Sequence, residues 1–581
     1  MRVSLLALAA FLAAPAAATD PVEDFEALTD EYWAAYLKEY PATATSVGVE
    51  GHDDKLMEIS LAAMDRRAAM AADFLERSRG IPAEGLDATT RVSKAMLERS
   101  LAAWVEGNRY GQRTMLFTTY YGWHQAMAGL ARGLAFDGRE DYENYLKRLE
   151  AYPAQNAGAL DVSNAAIEGG YVLPCDVLDG YETTITGVIG EDPQDSRFYE
   201  PFSGLHPADM TADEWAELQG RAIAIIDGPL RKAYAEHARW FMEDYLPECA
   251  EEVGVSAQQG GADYYAHQIR QFTTTDLSAD EIHRIGLAEV ARIRAEMEEV
   301  AERAGFESRE AFIEDLRTNP DYYAKSPEEL LAAAAWEAKK TDGLMPRFFK
   351  TLPRLPYGIK AIPAEIAEGT TTAYYSSGSP EQGIAGTYYV NTSKLDQRPL
   401  YELTALSLHE GVPGHHHQNA IRQEIDLPLW RRMMGNSAFG EGWGLYSERL
   451  GIEMGLYDTP AKEMGRLSYE MWRANRLVVD TGIHAKGWSK AQAIDYMLDN
   501  TALTRANIEA EVNRYISWPG QALAYKIGEL KIRELRAKAE AELGDAFDLR
   551  EFHDVILTQG SVPLDILEGQ VEEWIASVKA G

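Results

Sequence analysis

Apolar residues recur at helical spacing along most of the chain, and the pattern fails decisively in one place. Residues 24–40 put Phe25, Leu28, Tyr32, Trp33, Tyr36 and Leu37 on one side of a helix that must stop at Pro41. Similar stretches follow at 56–79, 89–109, 141–168, 214–245, 278–304 and 326–345. Between 352 and 391, Pro353, Pro356 and Pro363 forbid a helix. Two β-branched and aromatic runs, 370–375 and 386–391, enclose a segment rich in Gly, Ser and Pro. That composition predicts two short strands, paired antiparallel. Helices are expected again over 400–423, 439–454, 459–477, 489–499, 504–515 and 519–543. The expected fold is therefore mainly α, with a short antiparallel β element beside one helix.

With 581 residues the chain exceeds the roughly 250–300 residues of a single simple core. No fixed-period repeat or low-complexity linker divides it. One domain over 19–581 is expected, dividing into helical lobes at about 19–345 and 346–581 around a cleft. The 92 acidic residues outnumber the 56 Lys and Arg and give a net charge of −36, which argues against nucleic acid as partner. It argues equally against an anionic membrane surface.

Residues 1–18 combine a basic start, a short apolar run and small residues ahead of Thr19, as a secretory signal peptide does. Cleavage is expected near Ala18, with export to the periplasm or beyond and no membrane anchor. The two cysteines, Cys175 and Cys249, either form one bridge or stand as separate buried thiols.

Four of the twelve histidines fall at 409 and 415–417, in the run His409-Glu410-Gly411-Val412-Pro413-Gly414-His415-His416-His417. A His-Glu pair followed by more His suggests a zinc helix, where two imidazoles hold the ion and Glu acts as general base. The usual spacing places the second His four residues after the first, and here that position is Pro413. On an unbroken helix His409 and His415 would differ by about 240° and about 9 Å, and would not share a face. A local bulge at Pro413-Gly414 that absorbs two residues restores the relation. His415 is the expected second ligand, with His416 as the alternative. Downstream, Glu441 and Glu448 are seven apart on one helical face, with Gly440, Gly442 and Gly444 around the first. One would ligate and the other would hold a ligating His; Glu441 is the expected ligand.

These runs, with Glu441–Glu448, Arg514-Tyr515, Pro519-Gly520-Gln521-Ala522, 479–484 and 40–44, resemble the bacterial DUF885 family over nearly the whole chain. The resemblance implies a largely helical metallopeptidase of gluzincin type. A remoter similarity to angiotensin-converting-enzyme-like helical peptidases implies that a loop follows the zinc helix and the next helix bears the Glu ligand. Asp426-Leu427-Pro428 is such a break here.

The expected activity is hydrolysis of peptide bonds in short peptides, with zinc held by His409, His415 and Glu441 and with Glu410 as general base. A zinc amidase acting on a non-peptide substrate and a non-catalytic binding protein are the competing readings. Tyr515, Tyr525 and His484 are candidate donors to the developing oxyanion, and Arg514 is a candidate for a substrate carboxylate. Each has a plain counterpart: core Tyr, capping His, surface Arg. Tyr388, Tyr389 and Asn391 read either as an edge strand that pairs with an extended peptide or as part of a buried hairpin.

Overall fold

A computed structural model describes residues 20–367, 371–380 and 383–581. The expected leader at 1–18 lies outside them, as does Thr370 at the head of the first expected strand. The front half is built on α1 (Pro21–Glu39), α2 (Leu61–Gly80), α3 (Ala88–Gly107), α4 (Arg139–Gly169), α5 (Gly261–Thr273), α6 (Ala279–Arg303) and α7 (Pro327–Asp342). After three short strands come α8 (Leu403–Glu410), α9 (His415–Glu424), α10 (Ser437–Leu450), α11 (Pro460–Lys486), α12 (Arg505–Ser517) and α13 (Ala524–Leu543). The fold is mainly α.

Local chemistry sets several of these ends. Asp20 caps α1 by accepting from the Val22 amide, with Pro21 at the first helical position. Ser278 and Glu281 form a reciprocal capping box on α6. Thr459 caps α11, which runs on to Lys486, nine residues past the expected stop at 477. Val478, Val479 and Ile483 continue its buried surface, and no stop signal intervenes before Gly487 in the left-handed region at φ 68°. Most of α11 from Met464 to His484 is buried, as suits a helix enclosed on all sides. α6 packs along it, and α13 packs along α10. The second contact is close because glycines meet: a Cβ on Gly442 would stand 2.4 Å from the Gly528 backbone.

The apolar clusters mix residues from both sides of position 345. One joins Tyr145, Tyr152 and Phe241 to Val479, Ile483 and Tyr515. Another joins Tyr265 and Ile282 to Leu408, Trp443 and Ile527. Cys175 and Cys249 are disulfide-bonded, with Cα atoms 5.0 Å apart. Backbone hydrogen bonds run beside them, from Cys175 N to Ala250 O and from Ala250 N to Leu173 O. Among the described residues no helix is long and apolar enough to cross a membrane.

The β element has three strands rather than two: β1 (Tyr357–Ala361), β2 (Ala373–Ser376) and β3 (Gly386–Val390), in the order β1-β3-β2. β2 and β3 are antiparallel as expected, with Ala373 opposite Val390. β1 adds a parallel pairing, Tyr357 opposite Gly386. Its five residues sit between Pro356 and Pro363, a stretch whose prolines read as loop. The edge-strand reading of 388–391 is thereby corrected, because β3 is central and both its sides are paired. Tyr388 and Asn391 are fully buried. Asn391 donates to the carbonyls of Ala367 and Thr371 and accepts from Ser393, so it holds the connection rather than a substrate.

Candidate metal centre

The expected bulge at Pro413 is instead a full break. α8 ends on His409-Glu410, residues 411–414 turn with a cis Val412–Pro413 bond, and α9 begins at His415. Two contacts fix the turn. Trp443 on α10 donates its indole N–H to the Pro413 carbonyl at 2.6 Å. Gly414 lies so close to the end of α8 that a Cβ there would stand 2.0 Å from the His409 carbonyl oxygen. Only Gly fits, which is why the sequence can place a sixth-neighbour His beside His409.

The result is convergence. His409 Nε2 lies 3.5 Å and His415 Nε2 3.6 Å from Glu441 Oε2. The two imidazoles are 4.6 Å apart at 86°, and the three ligand atoms all fall within 4.8 Å of one another. Two atoms bound at about 2.1 Å to a tetrahedral ion are about 3.4 Å apart, so this donor set fits zinc. Glu441 reaches the site from α10, and it stands over His409 because Gly444, one turn on, leaves room for the ring.

His409 Nδ1 donates to Glu448 Oε1 at 2.8 Å, which fixes the tautomer and turns Nε2 toward Glu441. Of the two carboxylates on that helical face, Glu441 thus points into the centre and Glu448 holds the imidazole from behind. Burial opposes a charge on His409, but hydrogen bonds to Glu441 and Glu448 outweigh it and push its pKa up to about 10. The same negative potential favours a divalent cation. Glu410 follows His409 at the end of α8 and is buried.

His416 is a different kind of residue. Its Nδ1 meets the Tyr375 hydroxyl at 3.0 Å and its Nε2 the Leu355 carbonyl at 3.0 Å. Both nitrogens are used, and burial pushes the pKa down to about 4. It ties the sheet to α9, leaving His415 as the second imidazole in the set. His417 likewise pairs with the Thr351 carbonyl.

The remaining expected residues divide. His484 is fully buried, accepts from the Val255 amide and donates to the Tyr515 carbonyl, so a role as oxyanion donor is corrected to a structural one. Tyr515 is buried too. Its hydroxyl donates to Glu511 at 2.7 Å and accepts from Arg476 Nε at 3.1 Å, leaving no free proton for a substrate. Tyr389 is half-buried and stacks on Tyr374. Tyr388 packs beneath α8, where burial and then the charge of Glu410 raise its phenol pKa. Tyr525 and Arg514 remain partly exposed, with Arg514 Nη2 3.5 Å from the Tyr525 hydroxyl.

Sequence reasoning missed Trp443, Arg473 and Arg476. Arg473 Nη2 lies 3.6 Å from Glu448 Oε1, so it faces the carboxylate that holds His409. The signal for the two arginines was the Trp472-Arg473…Arg476 spacing on a long helix that also buries Arg466, Glu470 and Asp480.

Among the described residues, one other trio of acidic or His groups converges: Glu289, Glu470 and Glu529. Lys526 occupies its centre, fully buried, with Nζ 2.9, 2.8 and 2.7 Å from the three carboxylates.

A family model described as "Bacterial protein of unknown function (DUF885)" matches residues 41–571. No curated protein matches the chain. Among solved structures, a "putative lipoprotein" from Colwellia psychrerythraea is 28% identical with a TM-score of 0.89, covering 96% of this chain and 100% of its own. A "putative lipoprotein of unknown function" from Shewanella oneidensis is 18% identical with a TM-score of 0.73, over 95% and 99% of the two chains. The "putative oligoendopeptidase F" from Bacillus anthracis str. Ames, at 11% identity and a TM-score of 0.28 over 90% and 96%, shares too little of the fold to bear on activity.

Proposed function

The chain belongs to the DUF885 family, and from that premise we propose that it is an exported zinc-dependent metallopeptidase that hydrolyses short peptides. The observation that carries the reading is the convergence of His409, His415 and Glu441, with Glu410 adjacent on the same helix end. A zinc ion held by those three would supply Lewis-acid polarisation of a carbonyl and a lower pKa for the attacking water. Glu410 takes the proton of that water and returns it to the leaving amine. Glu448 keeps His409 in one tautomer throughout. Tyr525 is the remaining candidate donor to the developing oxyanion, since Tyr515 and His484 are committed elsewhere. Export is supported by the leader-like start of the sequence and by the Cys175–Cys249 bond, which suits an oxidising compartment.

The test pairs metal analysis of the purified protein with Glu410→Gln. The expected result is one zinc per chain in both forms and a loss of peptide turnover by about 100-fold or more in the variant. Unchanged turnover in Glu410→Gln, or a purified protein that binds no divalent ion, would overturn the reading.

A further inference from the structure

The charge of one interior wall runs against the charge of the chain. Net charge is −36, yet α11 and α12 gather Arg473, Arg476 and Arg514, whose ion pairs among the described residues are with Glu448 and Glu511, while Glu402 and Asp480 lie farther off. Glu448 is already shared with His409. That leaves Glu511 to serve both Arg476, at 3.1 Å, and Arg514, at 3.5 Å. Arg476 is sandwiched between Trp472 and Tyr525, 4.6 and 4.3 Å from their ring centres, and its Nη1 is buried without a partner. Arg514 also bonds Gln521, but its side chain is 12% exposed and lies over the ring of Tyr120.

Tyr120 comes from the front half of the chain and is 52% exposed, yet surrounding protein raises its phenol pKa. Tyr121 beside it behaves the same way and meets Trp518 edge-on. With the Arg514 guanidinium 5.5 Å from the centre of the half-exposed Tyr120 ring, this wall meets solvent at its edge. A guanidinium without its own counter-charge is unfavourable in such a place, and a bound anion relieves it.

We propose that Arg514 and Arg476, with Glu511 between them, form a subsite for a substrate carboxylate, walled by Tyr120, Trp472 and Tyr525. A fixed guanidinium fork with aromatic faces suits a planar carboxylate. Arg473, one turn before Arg476 on α11, connects this wall to the metal centre through Glu448. The identity of the carboxylate's bearer, a short peptide, rests on the metallopeptidase reading; the carboxylate belongs either to the peptide C-terminus or to an acidic side chain.

The test is calorimetric binding to full-length Glu410→Gln protein, using trialanine, trialanine amide and an alanine–glutamate–alanine amide. One of the two acids should bind about 10- to 100-fold tighter than trialanine amide, and which one does so identifies the source. Arg514→Gln should remove that preference and leave the affinity for trialanine amide unchanged, a combination that misfolding cannot produce. Equal affinity for all three peptides, which needs no Arg514 variant to observe, overturns the subsite. So does a preference that survives Arg514→Gln. A carboxylate preference in a protein whose parent form hydrolyses nothing overturns the peptidase reading alone.

Discussion

A Cβ added to Gly444 would stand 2.6 Å from Cε1 of His409 and 2.9 Å from each of its ring nitrogens. The imidazole lies directly on the backbone of α10, and no side chain could occupy that position without displacing it. Gly444→Ala should therefore weaken zinc binding sharply and destabilise the fold by about 1–3 kcal/mol through overpacking. Gly440→Ala is the control, since a Cβ there meets nothing within 4 Å. Zinc titration against a chelating indicator reads both; equal affinities in the two variants would contradict the packing described.

Glu448 reaches the metal centre only through His409 Nδ1. Glu448→Gln keeps the shape but removes the charge that orients the ring. The expected loss is about 10- to 100-fold in metal affinity. Secondary structure should be unchanged by circular dichroism.

His484 gives the protein a defined acid sensitivity. Burial lowers its pKa from 6.5 to about 4, and its neutral ring bridges Val255 N and Tyr515 O. The unfolded chain binds this proton first as pH falls. Stability from this site is therefore complete above pH 6.5, declines toward pH 4 and then levels. The span corresponds to about 3 kcal/mol. Urea unfolding of His484→Gln across this range should show a shallower dependence on pH than the parent, and parallel curves would refute the assignment.

The Cys175–Cys249 bond closes a loop across a sequence separation of 74. Replacing both with Ser should lower stability by about 2–4 kcal/mol. The parent protein under reducing conditions should shift to the same melting temperature as the variant.

Much of this was legible in residue order alone. The helical spacing, the proline-rich interruption and the four clustered histidines foretold a helical protein with a small sheet beside a His-Glu helix. The choice of His415 over His416 rested on an assumed bulge at Pro413-Gly414, and the three-dimensional reason came from elsewhere: Tyr375 and Leu355, far off in sequence, use both nitrogens of His416. β1 was hidden because five residues between prolines carry too weak a pattern, and only its pairing to β3 makes it a strand. Tyr515 and His484 stood in a suggestive segment, but what they bond to is decided by the crossing of α11 and α12. Arg514 was named from its segment, but Arg473 and Arg476 were overlooked because charge balance is a property of neighbours in space.

Glu289, Glu470 and Glu529 have the spacing of a second cation site, and Lys526 fills it. An ammonium offers three N–H groups, one for each carboxylate, and it is tethered to the chain. No chelator can strip it and no added ion can easily displace it. Counting bound metal on this protein should return a stoichiometry of one, however many acidic trios its interior contains.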